Sequence, residues 1–201
     1  MADVLAVRDA YRAQQWEMVV QECAASGLSN REFCRQRLLE QEVIHADETV
    51  IQVLKEDGKP ASSEFRMWVY GSGERSATPI RLFEYQPDRS GKRPEGFLRG
   101  FTKKLVTDGY AGYNSVAGVT HFGCWTHMKR KWHEAMPKGA TVQTSKATVG
   151  YQYCNKLRKE YRQNFVRPVQ EEYFCWVNTL NPEAGSKLET AMKYVQNQRG
   201  R

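Results

Sequence analysis

Val43-Ile44-His45-Ala46-Asp47-Glu48-Thr49-Val50-Ile51-Gln52-Val53 is the stretch on which the fold turns. Thr49, Ile51 and Val53 alternate against Val50, and Val43-Ile44 lead in, so the run predicts a buried β-strand. Desolvating an unpaired charge is expensive, so such a strand has little reason to carry Asp47 and Glu48 unless a cation or a reaction needs one. Sixty-one positions after Asp47, a second apolar run ends the same way, in Lys104-Leu105-Val106-Thr107-Asp108-Gly109-Tyr110. Two strands, each delivering an Asp at or near its end, make a divalent-metal site in an α/β sheet. The residues alone equally allow two turn aspartates, since Asp108-Gly109 is a turn dipeptide.

Working outward, the 201 residues leave room for one full domain and a small appendage. With 40% hydrophobic and 26% charged residues, the composition is that of a globular chain and excludes a disordered one. No apolar run approaches membrane-spanning length, and Met1-Ala2-Asp3-Val4 lacks the layout of a signal peptide, so no membrane partner is expected. Five cysteines without regular spacing fit reduced thiols in a cytoplasm. Of the net charge of +7, +6 lies between Asp88 and Lys131, where nine Lys and Arg face three acids. A field concentrated around the second aspartate suits a polyanion such as nucleic acid, although a solvated basic face gives the same pattern.

Residues 1–37 read as helical, with Val4, Val7, Ala10-Tyr11, Trp16, Val19-Val20 and Cys23 on an amphipathic face that Gly27 stops. Ser29 with Glu32 three residues on predicts a capping box, and Phe33 lies in the turn that follows. Helix, glycine turn and short capped helix form the first half of a helix-turn-helix; the recognition helix is missing, since the chain runs from Arg37 straight into the Asp47 strand. The alternative is a helical bracket packing on the main domain. Strands are predicted at 65–70 and 79–85, a helix opening with Pro at 94–101, a strand at 116–122, and a helix from Gly123 with Trp125, Met128 and Trp132 on one face. Helices follow at 149–163, 169–180 and 182–198. Lys103, Lys104, Lys129, Arg130 and Lys131 are the candidate DNA-backbone contacts. Cys124-x-x-His127 has metal-ligand spacing, and a zinc site would draw on Cys154 or His121; a structural pair is the favoured reading and zinc is not expected. Glu48, next to Asp47 on a strand, points to the opposite face and suits an ion pair better than a metal. Tyr110 and Tyr113 could flank DNA or simply pack.

His45-Ala46-Asp47-Glu48-Thr49, Met67-Trp68-Val69-Tyr70, Thr107-Asp108-Gly109-Tyr110-Ala111-Gly112-Tyr113 and the run Gly123 to Trp132 occur in this order. Together they resemble the catalytic part of the bacterial insertion-sequence transposases of family sixty-six, over about residues 40–200. The resemblance implies an α/β, ribonuclease-H-like mixed sheet, three antiparallel strands then two parallel, with flanking helices and an incomplete C-terminus. It also implies DDE transposase chemistry, that is DNA transposition by phosphoryl transfer with Mg²⁺ or Mn²⁺, in which Asp47 and Asp108 match the first two catalytic acids and metal ligands.

The third acid of that family is a Glu in an Asn-Asn-x-x-Glu setting, downstream of a Tyr-x-x-Asn-Gln pattern. Here Tyr194-Val195-Gln196-Asn197-Gln198 is present and the sequence ends at Arg201; Glu134, Glu160, Glu171 and Glu172 lie outside that motif. Residues 1–38 separately resemble the small helix-turn-helix accessory protein of the same elements. The domain expectation is therefore 1–38 as a truncated helical segment, 40–136 as the ribonuclease-H-like core, and 137–201 as a helical insertion region cut before the third acid. A bacterial, nucleoid-associated protein, inactive alone, is expected, with element-end DNA and the full-length transposase or other element-encoded proteins as partners. The alternatives are a non-enzymatic DNA-binding or regulatory remnant of the element, and a decayed reading frame.

Overall fold

The computed structural model describes residues 4–73, 76, 78–138, 145–161 and 166–198. The chain divides into two compact units, Met1–Pro87 and Asp88–Arg201.

The first unit opens with α1 (Val4–Ser26), stopped by Gly27 at a left-handed φ of 69°, and α2 (Asn30–Leu39). The capping box forms as its residues require: the Ser29 hydroxyl accepts the Glu32 N–H while the Glu32 carboxylate accepts the Ser29 N–H. Helix α1 departs from the amphipathic expectation, since Tyr11, Trp16, Met18 and Val20 are all exposed. Three antiparallel strands follow: β1 (Val43–Gln52), β2 (Glu64–Ser72) and β3 (Arg81–Gln86). In register, Ala46 lies opposite Tyr70 and Tyr70 opposite Leu82; one pair along, Glu48 faces Trp68 and Trp68 faces Glu84. Ile44, Ala46, Trp68 and Tyr70 are buried on this sheet face. Helix α2 is tied to β3 by Arg31, which donates to the Phe83 carbonyl at 3.0 Å and pairs with Glu84 at 3.5 Å.

Two expectations for β1 need correction. Burial is confined to Ile44 and Ala46, and Val50 is 47% exposed, so the strand is buried only in its first half. Asp47 is consequently not near a strand end; it sits mid-strand, opposite Val69. The β-branched alternation that suggests burial suits a half-solvated sheet equally well.

The second unit begins with α3 (Lys92–Phe97), which opens two residues before Pro94, and β4 (Lys104–Thr107). A 3₁₀ turn at Ala111–Ser115 precedes β5 (Thr120–Gly123), which starts four residues later than the strand expected at 116–122. Gly118, at a φ of 78°, turns the chain where an extended strand would have to continue. Helices α4 (Trp125–Glu134), α5 (Lys146–Tyr161), α6 (Val166–Asn178) and α7 (Lys187–Gln198) gather around Met128, Trp132, Leu157, Tyr173, Val177, Ala191 and Val195. Trp132 is fully buried, and its indole N–H donates to the Tyr173 hydroxyl at 2.6 Å, so the polar edge of each ring is satisfied inside the core. Gly150 is required there: a Cβ on it would come within 2.4 Å of the Trp132 ring. In the first unit the strand order is β3-β2-β1, antiparallel throughout, and in the second β4 and β5 pair in parallel. Antiparallel and parallel pairing with flanking helices give the α/β class that was expected.

Candidate catalytic site

The half-exposed Asp47 is aimed by strand register. Its neighbours Ala46 and Glu48 point to the opposite face of the pleat, and its Oδ1 accepts the backbone N–H of Glu48 at 2.9 Å. Glu48 goes where alternation sends it, onto the face of Trp68 and Glu84. There the two carboxylates, together with burial as the larger cause, push the Tyr70 hydroxyl well above its ordinary pKa.

Asp108 follows β4 directly and is held by a denser set of contacts. Its Oδ1 accepts the Tyr110 N–H at 2.8 Å, closing an Asx turn, and its Oδ2 faces the Arg89 guanidinium at 3.4 Å. That guanidinium lies 3.8 Å over the Tyr110 ring, and the Tyr110 hydroxyl donates to the Arg89 carbonyl at 2.5 Å. Gly109 takes a φ of 87°, which is why the turn needs glycine. From α7, 86 residues away in sequence, the Tyr194 hydroxyl donates to the Asp108 carbonyl at 2.6 Å. One turn further on, the Gln198 side chain closes on Gly109 and Gly123: an added Cβ would lie 2.0 Å from its Nε2 at the first and 2.3 Å from its Oε1 at the second. In sequence the tyrosine and glutamine form a motif with no visible link to Asp108. Their i, i+4 spacing, which puts both on one helix face, was the available signal.

The basic residues are not one stripe. Lys129, Arg130 and Lys131 are consecutive on α4 and so project about 100° apart. Lys129 rests its ammonium 4.6 Å over the Tyr151 ring, Lys131 pairs with Glu134 at 3.1 Å, and Arg130 is exposed. Lys103 is half-buried and Lys104 is exposed. Tyr113 is fully buried with Tyr110 edge-on to it at 6.1 Å, so packing accounts for Tyr113.

Cys124 sits at the N-cap of α4, and its own N–H donates to the Thr107 carbonyl at 2.8 Å. Burial raises its thiol pKa, but the His127 side chain, the His127 and Thr126 backbone and the His127 charge together outweigh that and lower it. Cys154, suggested as a zinc ligand, lies in the helical core instead, where burial pushes its thiol up to about 12 and keeps it protonated. Glu134 is taken by Lys131, Glu172 by Tyr153 and Lys156, and Glu171 is exposed. The Glu160 side chain lies outside the described residues.

Asp47 and Asp108 are hard-oxygen donors of the kind Mg²⁺ and Mn²⁺ take. An ionised carboxylate has about four lone-pair sites, so the hydrogen bonds described leave acceptor capacity on each. Among the described residues no group of three or more His, Cys, Asp or Glu gathers that could hold an ion, so two carboxylates would need water, phosphate or further ligands to complete a shell. The donors therefore fit the chemistry without by themselves completing it.

Strands with flanking helices define an α/β protein, and the family comparison makes this specific. The model of the transposase IS66 family matches residues 10–201, and the chain belongs to that family. Two proteins of Sinorhizobium fredii (strain NBRC 101917 / NGR234) are similar to it. Uncharacterized protein y4qI is 23% identical over 195 residues, covering 84% of this chain and 36% of the relative. Uncharacterized protein y4hP is 28% identical over 104 residues, covering 46% and 18%. The chain thus spans about a third or less of the length of these relatives. The Drosophila P element transposase strand transfer complex aligns over 80% of this chain and 50% of that one, at 10% identity with a TM-score of 0.33, too slight a likeness to define a shared fold. Among the described residues no helix is long and apolar enough to cross a membrane.

Proposed function

We propose that this chain forms part of the catalytic core of a DDE transposase, and that Asp47 and Asp108 bind divalent metal at element-end DNA. The observation that carries the reading is family membership together with the two motif acids, Asp47 on β1 and Asp108 at the exit of β4. Bound Mg²⁺ or Mn²⁺ would supply activation of the attacking oxygen and stabilisation of the leaving one. The residues of the chain hold and orient: the β1 ladder fixes Asp47, and the Asx turn fixes Asp108. Lys103, Lys104, Lys129, Arg130 and Lys131 supply charge toward the phosphate backbone, with Lys129 resting on the Tyr151 ring and Lys131 paired with Glu134. The Asn-Asn-x-x-Glu setting does not occur in these residues.

The test is magnesium-dependent cleavage and strand transfer on duplexes carrying element ends. The 201 residues alone are expected to bind the duplex without turnover, and Asp47→Asn or Asp108→Asn in an active full-length relative is expected to lower the rate by at least ~10²–10³. Undiminished turnover in either variant contradicts the proposal. A second reading, a DNA-binding or regulatory protein without catalysis, draws support from Arg89 lying on the Oδ2 of Asp108. Gel-shift affinity for element ends that is unchanged by both asparagine substitutions, with no metal dependence, favours it.

A further inference from the structure

The Tyr194-Val195-Gln196-Asn197-Gln198 segment of α7 has no part in the phosphoryl-transfer account, yet it meets the Asp108 turn at two points. We propose that Tyr194 and Gln198 are positioning residues for Asp108, one face of α7 acting as the clamp that aims its carboxylate. The inference rests on the reading of Asp108 as a metal ligand.

The first contact fixes the backbone. A 2.6 Å bond from the Tyr194 hydroxyl to the Asp108 carbonyl ties down the peptide at which the chain leaves β4. The second fixes the space around it. Gln198 is 7% exposed, and its amide fills the notch that Gly109 and Gly123 leave by having no Cβ. These glycines follow Asp108 and precede Cys124, so the notch lies at the exits of the parallel strands β4 and β5. The Gln198 Oε1 is buried and finds no hydrogen-bond partner among the described residues. Burying an unpaired amide oxygen is costly, so an apolar side chain would serve stability better at this position. The amide and the two glycines are therefore matched to each other for a reason other than packing. A carboxylate on a turn has backbone freedom that one in a ladder lacks, and a clamp from a packed helix removes it.

The experiment is Mn²⁺ binding to the full chain, followed by electron paramagnetic resonance, for Asp108→Asn, Tyr194→Phe, Gln198→Ala and the combination of Tyr194→Phe with Asp108→Asn. Tyr153→Phe, which loses a hydroxyl bonded to Glu172 instead, is the control. Tyr194→Phe and Gln198→Ala are each expected to weaken Mn²⁺ binding by ~10-fold, as outer-shell changes do, with thermal unfolding of Tyr194→Phe unchanged. Tyr194→Phe is expected to add nothing once Asp108 is Asn. If Asp108→Asn weakens binding while Tyr194→Phe and Gln198→Ala bind as the parent does, the clamp is refuted and the metal reading stands. If Asp108→Asn itself leaves binding unchanged, both fall. Tyr194→Phe removes one oxygen from a half-buried ring, so it keeps the test decisive even if Gln198→Ala does not fold.

Discussion

Asp47 and Asp108 are held in place by different means. Asp47 is one residue of a ten-residue strand in a three-stranded antiparallel ladder, and register sets its direction. Asp108 stands just past a four-residue strand and depends on Tyr110, Arg89 and, from 86 residues away, Tyr194. A ladder fixes a side chain through many equivalent backbone bonds, so losing one neighbour costs little. A turn fixes it through a few dissimilar contacts, each of which matters.

Substitutions should therefore act unequally on the two aspartates. Trp132→Ala carries the largest expected effect: it empties the centre of the α4–α7 core and should cost ~3–5 kcal/mol. Amide hydrogen exchange is expected to rise across α5, α6 and the Asp108 turn while β1 to β3 keep their protection; equal loss in both units would erase the contrast. Gly109→Ala forces a φ of 87° on a residue with a Cβ and drives it into Gln198. A loss of ~1–3 kcal/mol in chemical denaturation is expected, in the range of overpacking. Ser29→Ala, which removes the α2 cap in the ladder unit, should cost ~1 kcal/mol and leave metal binding untouched.

The smallest effect is electrostatic. The hydrogen bond from Arg93, then the Ser90 N–H, hold the exposed Asp88 carboxyl at about 2 against an ordinary 3.8. A depressed carboxylate contributes stability above its ordinary value and loses it as pH falls toward the lowered one, so this contribution fades between about pH 4 and pH 2. Arg93→Ala should raise the Asp88 titration, read by NMR, toward the ordinary carboxylate range, with the Ser90 N–H still holding it below.

How much of this could be read from sequence follows the same division. The capping box at Ser29 and Glu32, the three antiparallel strands and the Asp108 strand are legible because their signals are local: three-residue spacing, alternation, a glycine after an aspartate. The start of α7 is misread at Pro182 because Gly185, at a φ of 76°, delays the helix to Lys187. Ser186 and Glu189 there announce the real start, the Ser186 hydroxyl accepting the Glu189 N–H at 3.1 Å. The exposure of Val50 and of the apolar residues of α1 is not legible, because residue type records what a side chain tolerates and not what covers it. The contact between Tyr194 and Asp108 is also hidden, since no periodicity links residues 86 apart.

Mn²⁺ titration of the chain and of its Asp47→Asn and Asp108→Asn forms tests the proposed role of the two acids as metal ligands most directly. That role predicts that either substitution alone removes most of the affinity. An Asp47→Asn or Asp108→Asn protein that binds Mn²⁺ as the parent does would contradict it.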